Sequence, residues 1–134
     1  MVFRQTAEAA EAEVAALANL LISGSIKLYS GTRPATPATA LSGNTLLATW
    51  TFDATPWTAG ASDGVYTWAD APQSVAPAAS GTATFARLFK SDGTTAVCDV
   101  DAGTSGTEII LGSTTITTGV NVSLTAFTLT VPLV

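Results

Sequence analysis

The sequence predicts a mainly β fold, an antiparallel β-sandwich or barrel of seven to eight strands, preceded by one N-terminal α-helix. Three observations predict it. Short runs of alternating apolar and polar residues recur from Ser25 to the C-terminal end, punctuated by Gly, Pro, Asn and Asp. Gly81–Asp101 (GTATFARLFKSDGTTAVCDVD) sets Asp92-Gly93 between two such runs, a strong hairpin signal because Gly93 accepts the positive φ of a tight turn. Helical character is confined to the first 24 residues. The division expected is therefore a helical arm over residues 1–24 and a β-sandwich domain over residues 25–134. A chain of 134 residues can hide roughly two-thirds of its unfolded surface in one core.

Residues 4–22 (RQTAEAAEAEVAALANLLI) are strong helix formers without Gly or Pro. Ala10, Val14, Leu17 and Leu21 form one stripe, widened by Leu20. Thr6 can cap the start, three Glu lie near the favourable end of the dipole, and Gly24 reads as a stop. Two placements fit: a helix lying across the sheet edge, or an arm docked on a neighbouring subunit. Ser25–Ser30 alternates Ile26 and Leu28 against Lys27 and Tyr29, a short half-buried strand. Gly31–Ala40 (GTRPATPATA) holds two prolines and reads as an extended surface loop.

Asn44–Phe52 predicts a second strand with Leu46, Ala48, Trp50 and Phe52 in phase. Asp53–Gly64 reads as a loop in which Trp57 is either a lid over the core or an exposed contact. Val65–Ala69 predicts a strand, and Asp70–Ser80 a Pro/Ala-rich connection to the hairpin. In the hairpin, Phe85, Arg87 and Phe89 share one face and Ala86 and Leu88 the other; Ala96, Cys98 and Val100 share a face opposite Val97 and Asp99. Gly103–Gly106 is a turn, Glu108–Leu111 a short strand and Thr114–Thr118 a Thr-rich one. In Val120–Val131 the alternation changes phase between Leu124 and Phe127. A slip of one residue moves every later side chain to the other face, so the pattern predicts a bulge near Thr125-Ala126 or a crossing between sheets.

Chemistry is sparse. No His is present, which removes Ser-His-Asp and Cys-His catalysis and most zinc catalysis. Cys98 is the single cysteine, so no internal disulfide is expected and the thiol reads as a small hydrophobe on a strand. Gly103-Thr104-Ser105-Gly106 lacks the Lys of a phosphate-binding loop. Asp99, Asp101 and Glu108 suggest either a carboxylate pair with the three Trp as a sugar platform, or a calcium loop. The glycine and glutamate that a calcium loop needs are out of place, and a solvated turn is the favoured reading. No cofactor or metal site and no enzyme activity is expected. Five Lys plus Arg against ten Asp plus Glu give a net charge of −5, which disfavours nucleic acid and anionic membrane surfaces. No apolar run spans a bilayer, and the glutamates before Ala15–Ile22 are wrong for a secretory signal. Charged residues make up 11% of the chain, against about a quarter in ordinary soluble domains, so the surface suits packing against other protein.

Several segments carry a resemblance: SIKLYSGTRPATPATALSGNTLLATWTF, ATFARLFKSDGTTAV and GTSGTEIILGSTTITTGVNVSLTAFTLTVP. Over roughly residues 15–133 the chain resembles a family of small proteins encoded among the structural genes of tailed phages and prophages. That family's K-x-x-x-Y-x-G-T-x-P pattern is matched by Lys27, Gly31, Thr32 and Pro34, with Tyr29 two residues after the Lys instead of four. Its D-G-x-x-G-T-S-G turn is matched by Gly103-Thr104-Ser105-Gly106, with Asp99 and Asp101 where its first part should stand. These are turn and strand signals, not catalytic ones. The resemblance implies a virion component assembled in the host cytoplasm, in particular a capsid decoration (cement) protein binding the major coat protein and neighbouring copies as a homo-oligomer. A tail or neck component and a carbohydrate-binding or adhesin module are the alternatives. Contacts are expected on the arm Val2–Ile22 and the loops Gly31–Ala40 and Asp53–Gly64, with Val14, Leu17, Leu21, Arg33, Pro34, Pro37 and Trp57 as candidate interface residues.

Overall fold

A computed structural model describes residues 4–59 and 64–130. Val2, residues 60–63 of the Asp53–Gly64 loop and Val131, all named above, lie outside the described residues. The chain runs through α1 (Ala7–Leu20), β1 (Ser25–Ser30), β2 (Leu46–Thr51), β3 (Trp57–Ala59), β4 (Val65–Trp68), β5 (Gln73–Val75), β6 (Gly81–Phe89), β7 (Ala96–Gly103), β8 (Ile109–Leu111), β9 (Thr115–Ile116) and β10 (Val122–Thr130). The main path of the sheet is β2-β1-β6-β7-β8-β10-β4-β3, with β5 on β10 and β9 on β6.

Mainly β with one N-terminal helix is therefore the architecture, but the antiparallel sandwich needs correction. The sheet is a single curled half-barrel of mixed pairing. The parallel step is β7 on β8, where Ala102 faces Ile109 and Gly103 faces Ile110. A parallel pair ordinarily needs a long crossover. Here the contact is so brief that the turn after Gly103, with Gly106 at φ 70°, suffices. β3 and β5 are further strands inside stretches that read as loops. Both are short and carry Trp, Gln or Ser where alternation is hard to see.

Two local readings hold in detail. The 81–101 hairpin forms with Gly93 at φ 75°, and Lys90 N donates to Thr95 O at 2.9 Å across the turn. The phase change in β10 is a register shift between Leu124 and Ala126, so that Val122, Leu124, Phe127 and Leu129 are all buried. Thr125 Oγ1 donates to Ile110 O at 3.0 Å at the shift. A similar shift at Leu28/Tyr29 turns Leu46 out of phase with Ala48, Trp50 and Phe52.

The helix begins where expected, with Thr6 Oγ1 accepting from Ala9 N at 3.2 Å. It buries Ala10, Val14 and Ala18, and Leu21 follows at 0% exposure. Val14 and Leu21 belong to the same apolar cluster as Ile26, Trp50, Trp68 and Phe127. The 1–24 segment thus shares the core of the β region, lying against it in the same chain, and Leu20 is 46% exposed instead of widening the buried stripe. Glu11 Oε2 accepts from Gly64 N at 2.9 Å, a second tie between helix and sheet. Gly24 acts by close approach, not by left-handed geometry: a Cβ there would stand 2.0 Å from Phe89 O.

The inner face of the curl is sealed by aromatic side chains. Phe52 lies 5.2 Å from Trp57, 5.5 Å from Trp68 and 6.3 Å from Phe127, and Trp57 lies 5.4 Å from Phe127, between ring centroids. Tilted and edge-on geometry is the favourable arrangement for such rings. The indole N–H groups of Trp50, Trp57 and Trp68 have no acceptor among the described residues. The rings are held by packing alone.

Candidate functional site

The opposite, outer face of β1, β6 and β7 carries the polar groups. Register places Lys27 beside Arg87 and Arg87 beside Asp99, one row of side chains across three strands. The neighbouring row is Tyr29, Phe85 and Asp101, with Tyr29 and Phe85 stacked at 5.6 Å. Arg87 Nε donates to Asp99 Oδ1 at 2.7 Å and Nη2 to Oδ2 at 3.0 Å, a two-pronged pair with both side chains 5% exposed. The carboxylate beside it raises the affinity of Arg87 for its proton, against the effect of burial. Burial pushes the Tyr29 hydroxyl above its ordinary range.

The segment between β1 and β2 covers this face. Arg87 Nη1 donates to Thr39 O at 2.8 Å and Nη2 to Thr36 O at 3.3 Å, so one guanidinium holds both the strand pair and the loop. Asn44 Nδ2 donates to Ser30 O and Thr32 O at 2.9 and 3.0 Å, closing the loop's base. Thr84 Oγ1 donates to Gly31 O at 2.6 Å. Arg33 Nη1 reaches Asp101 Oδ1 at 2.8 Å as a half-exposed pair. The loop is thereby fixed from within while its Thr and Ala side chains face outward. A shallow groove runs between it and the hairpin, lined by Pro37, Thr39, Leu41, Phe89, Thr94 and Val97.

The hairpin turn is tied down as firmly. Asp92 Oδ1 accepts from Thr94 N at 2.9 Å and Thr95 N at 2.8 Å, and Oδ2 accepts from Thr95 Oγ1. Those bonds hold the carboxyl down at about 2. Lys27 Nζ donates to Gly93 O at 3.0 Å and sits 4.6 Å from the Phe89 ring centre.

The candidate interface residues separate accordingly. Arg33 is exposed and Pro34 and Pro37 half-buried on the pinned loop, which brings these three together. Val14 and Leu21 are withdrawn from the surface: both are at 0% exposure in the chain's own core, because the small Ala side chains of α1 let the helix seat closely on the sheet. Leu17 and Trp57 are partly buried against that core. Trp57 is the lid, not an exposed contact, and with Trp50 and Trp68 at 1% exposure the three indoles make no sugar platform. A second surface lies at the C-terminal end of α1, where Leu20 and Ile22 are 46% and 38% exposed beside a groove lined by Asn19, Pro56 and Tyr66. Val120, 64% exposed, marks a third.

The acidic group resolves into structural contacts. Asp99 is locked to Arg87, Asp101 to Arg33, and Glu108 Oε2 accepts from Asp101 N at 3.2 Å. No cluster of metal-ligating side chains occurs among the described residues. Cys98 lies on the inner side opposite Leu88; burial first, then Asp99 and Glu108, push its thiol up to about 12. Another carboxyl pair brings Asp70 beside Asp53, where desolvation and then the Asp53 charge and hydrogen bond raise Asp70. No described helix is long and apolar enough to cross a membrane.

Sequence reasoning missed Arg87. The available signal was an arginine midway between Phe85 and Phe89, with Asp99 at the mirrored position across the Asp92-Gly93 turn. No known family, curated protein or solved structure matches the chain.

Proposed function

We propose that this protein is a structural component of a tailed-phage virion, a capsid decoration (cement) protein that clamps coat subunits and neighbouring copies. The observation that carries the reading is the loop between β1 and β2: an outward surface of Thr, Ala and Pro, held rigid from beneath by the buried Arg87–Asp99 pair. A preorganised loop loses little conformational freedom on binding, which suits repeated small contacts on a shell. The low charge of the chain and its resemblance to phage structural proteins support the same reading. The mechanism is mechanical: many copies bury loop surface across capsomer junctions, so that shell expansion must break many contacts at once.

A tail or neck position is the second reading, favoured by the same resemblance. Copy number separates the two. Mass spectrometry of purified particles should find the chain on the order of hundreds of copies per particle for a decoration role, and about six or twelve for a neck or tail ring. Purified protein should bind coat shells and raise the temperature at which they disrupt. Absence from particles, or failure to bind shells, would overturn the proposal.

A further inference from the structure

The four-stranded part of the sheet, β2-β1-β6-β7, has two open edges, and they are built differently. Antiparallel pairs alternate between those that exchange hydrogen bonds and those that do not. Phe52 N donates to Gly24 O at 2.9 Å, so Trp50 and Ala48 turn their backbone groups toward β1, while Thr49 and Thr51 turn theirs away. Leu47 O also points away and accepts from Ala78 N at 2.7 Å. By the same alternation Val97, Asp99 and Asp101 face outward along β7.

The β7 edge is guarded. It carries two aspartates, and Glu108 caps the outward N–H of Asp101 at 3.2 Å. Charges and capped donors are how sheet edges avoid pairing with other chains. The β2 edge has no such guard: Leu46–Thr51 holds neither a charge nor a proline, and Thr49 and Thr51 are exposed. No partner for their outward backbone groups occurs among the described residues.

We infer that the open edge of β2 pairs antiparallel with the same edge of a second copy about a two-fold axis at Trp50. Thr49 of one copy then lies opposite Thr51 of the other, making about four backbone hydrogen bonds. Threonine facing threonine is a favourable cross-strand pair. Self-pairing is the match that charge allows. The chain carries −5 and repels its copies everywhere except where the contact is locally neutral, as β2 is. The nearest carboxylates on the strand, the two Asp53, end up about 20 Å apart, some two screening lengths. The Ala78–Leu47 contact limits the ladder to two outward residues per strand, so the dimer is weak and forms at high local concentration. This pairing does not rest on the virion reading, and either can fail alone.

Sedimentation over a wide concentration range tests it on the full chain. The wild type should pass from the 13.5 kDa monomer to twice that mass. Thr49→Pro removes an N–H that points away from β1, a position where an edge strand tolerates proline. It should raise the dimer dissociation constant at least tenfold with the melting temperature unchanged. Thr51→Lys should do the same by adding a guard, and decides the matter if the proline variant misfolds. A wild type that stays monomeric throughout, or a dimer that survives Thr51→Lys, overturns the proposal.

Discussion

The two faces of the β1-β6-β7 sheet are both closed to water, by opposite means. The inner face is sealed by rings and aliphatic chains that touch without direction, down to indole N–H groups left unpaired. The outer face is sealed by a loop whose attachment is almost entirely directional, routed through one guanidinium and one carboxylate. Apolar packing loses stability in proportion to what is removed. A buried ion pair behaves otherwise: deleting one member strands the other in a dry site, whereas replacing both by apolar groups often costs nothing. The inner face should therefore tolerate graded change, and the outer face should fail abruptly at one position.

The largest expected effect is accordingly at Arg87. Arg87→Met leaves the Asp99 carboxylate and the Thr36 and Thr39 carbonyls without their donor, and should cost about 3–5 kcal/mol in denaturant unfolding. Adding Asp99→Leu to that variant should restore most of the loss. The double variant should nonetheless release the loop between β1 and β2, read as new protease cleavage within residues 31–45. A double variant as unstable as the single one would mean that the two faces differ less than their chemistry suggests. On the inner face, Leu124→Ala should cost about 2–5 kcal/mol by opening a cavity, and no second substitution should recover it by removing a partner.

Cys98 reports on whether the inner side opens without global unfolding. With its thiol at about 12 instead of 9.0, the thiolate fraction at mild alkaline pH falls about a thousandfold. The higher basicity makes each thiolate roughly twentyfold more nucleophilic, so alkylation should run about 50-fold slower than in the unfolded chain. A folded-state rate equal to the unfolded one would show the β7 edge breathing.

What the sequence made legible follows the same division. Alternation locates strands whenever one face is apolar, so β1, β4, β6, β7 and the displaced phase of β10 could be read directly. The stripe Ala10, Val14 and Leu21 was legible as an apolar helix face, but not what it packs against, because periodicity is silent about whether a partner lies in the same chain. The pinned loop was illegible for a different reason. Its structure depends on carbonyls of Thr36 and Thr39 meeting a side chain some fifty positions away, and backbone acceptors leave no trace in residue identity. The parallel contact of β7 and β8 is hidden likewise, since two residue pairs carry no periodic signal. Of the candidate interface, Arg33, Pro34 and Pro37 were found from loop composition, while Arg87 beneath them looked like one more polar residue in an alternating strand.

The smallest effect expected concerns the turn that joins β6 to β7, and it separates fixed charge from burial. Asp92 is exposed, yet three donors from Thr94 and Thr95 hold it down at about 2, below its ordinary 3.8. A carboxyl lowered in the folded state contributes stability above its unfolded value and loses it as pH falls through the folded one. That contribution should be intact at neutral pH and disappear between about pH 4 and pH 2. Thermal melts of wild type and Asp92→Ala should therefore differ at pH 7 and converge near pH 2. Subtracting the two curves removes the opposite trend of Asp70, whose raised carboxyl gains as pH falls. Curves separated by the same interval at every pH would assign the Asp92 contribution to turn geometry and not to its charge.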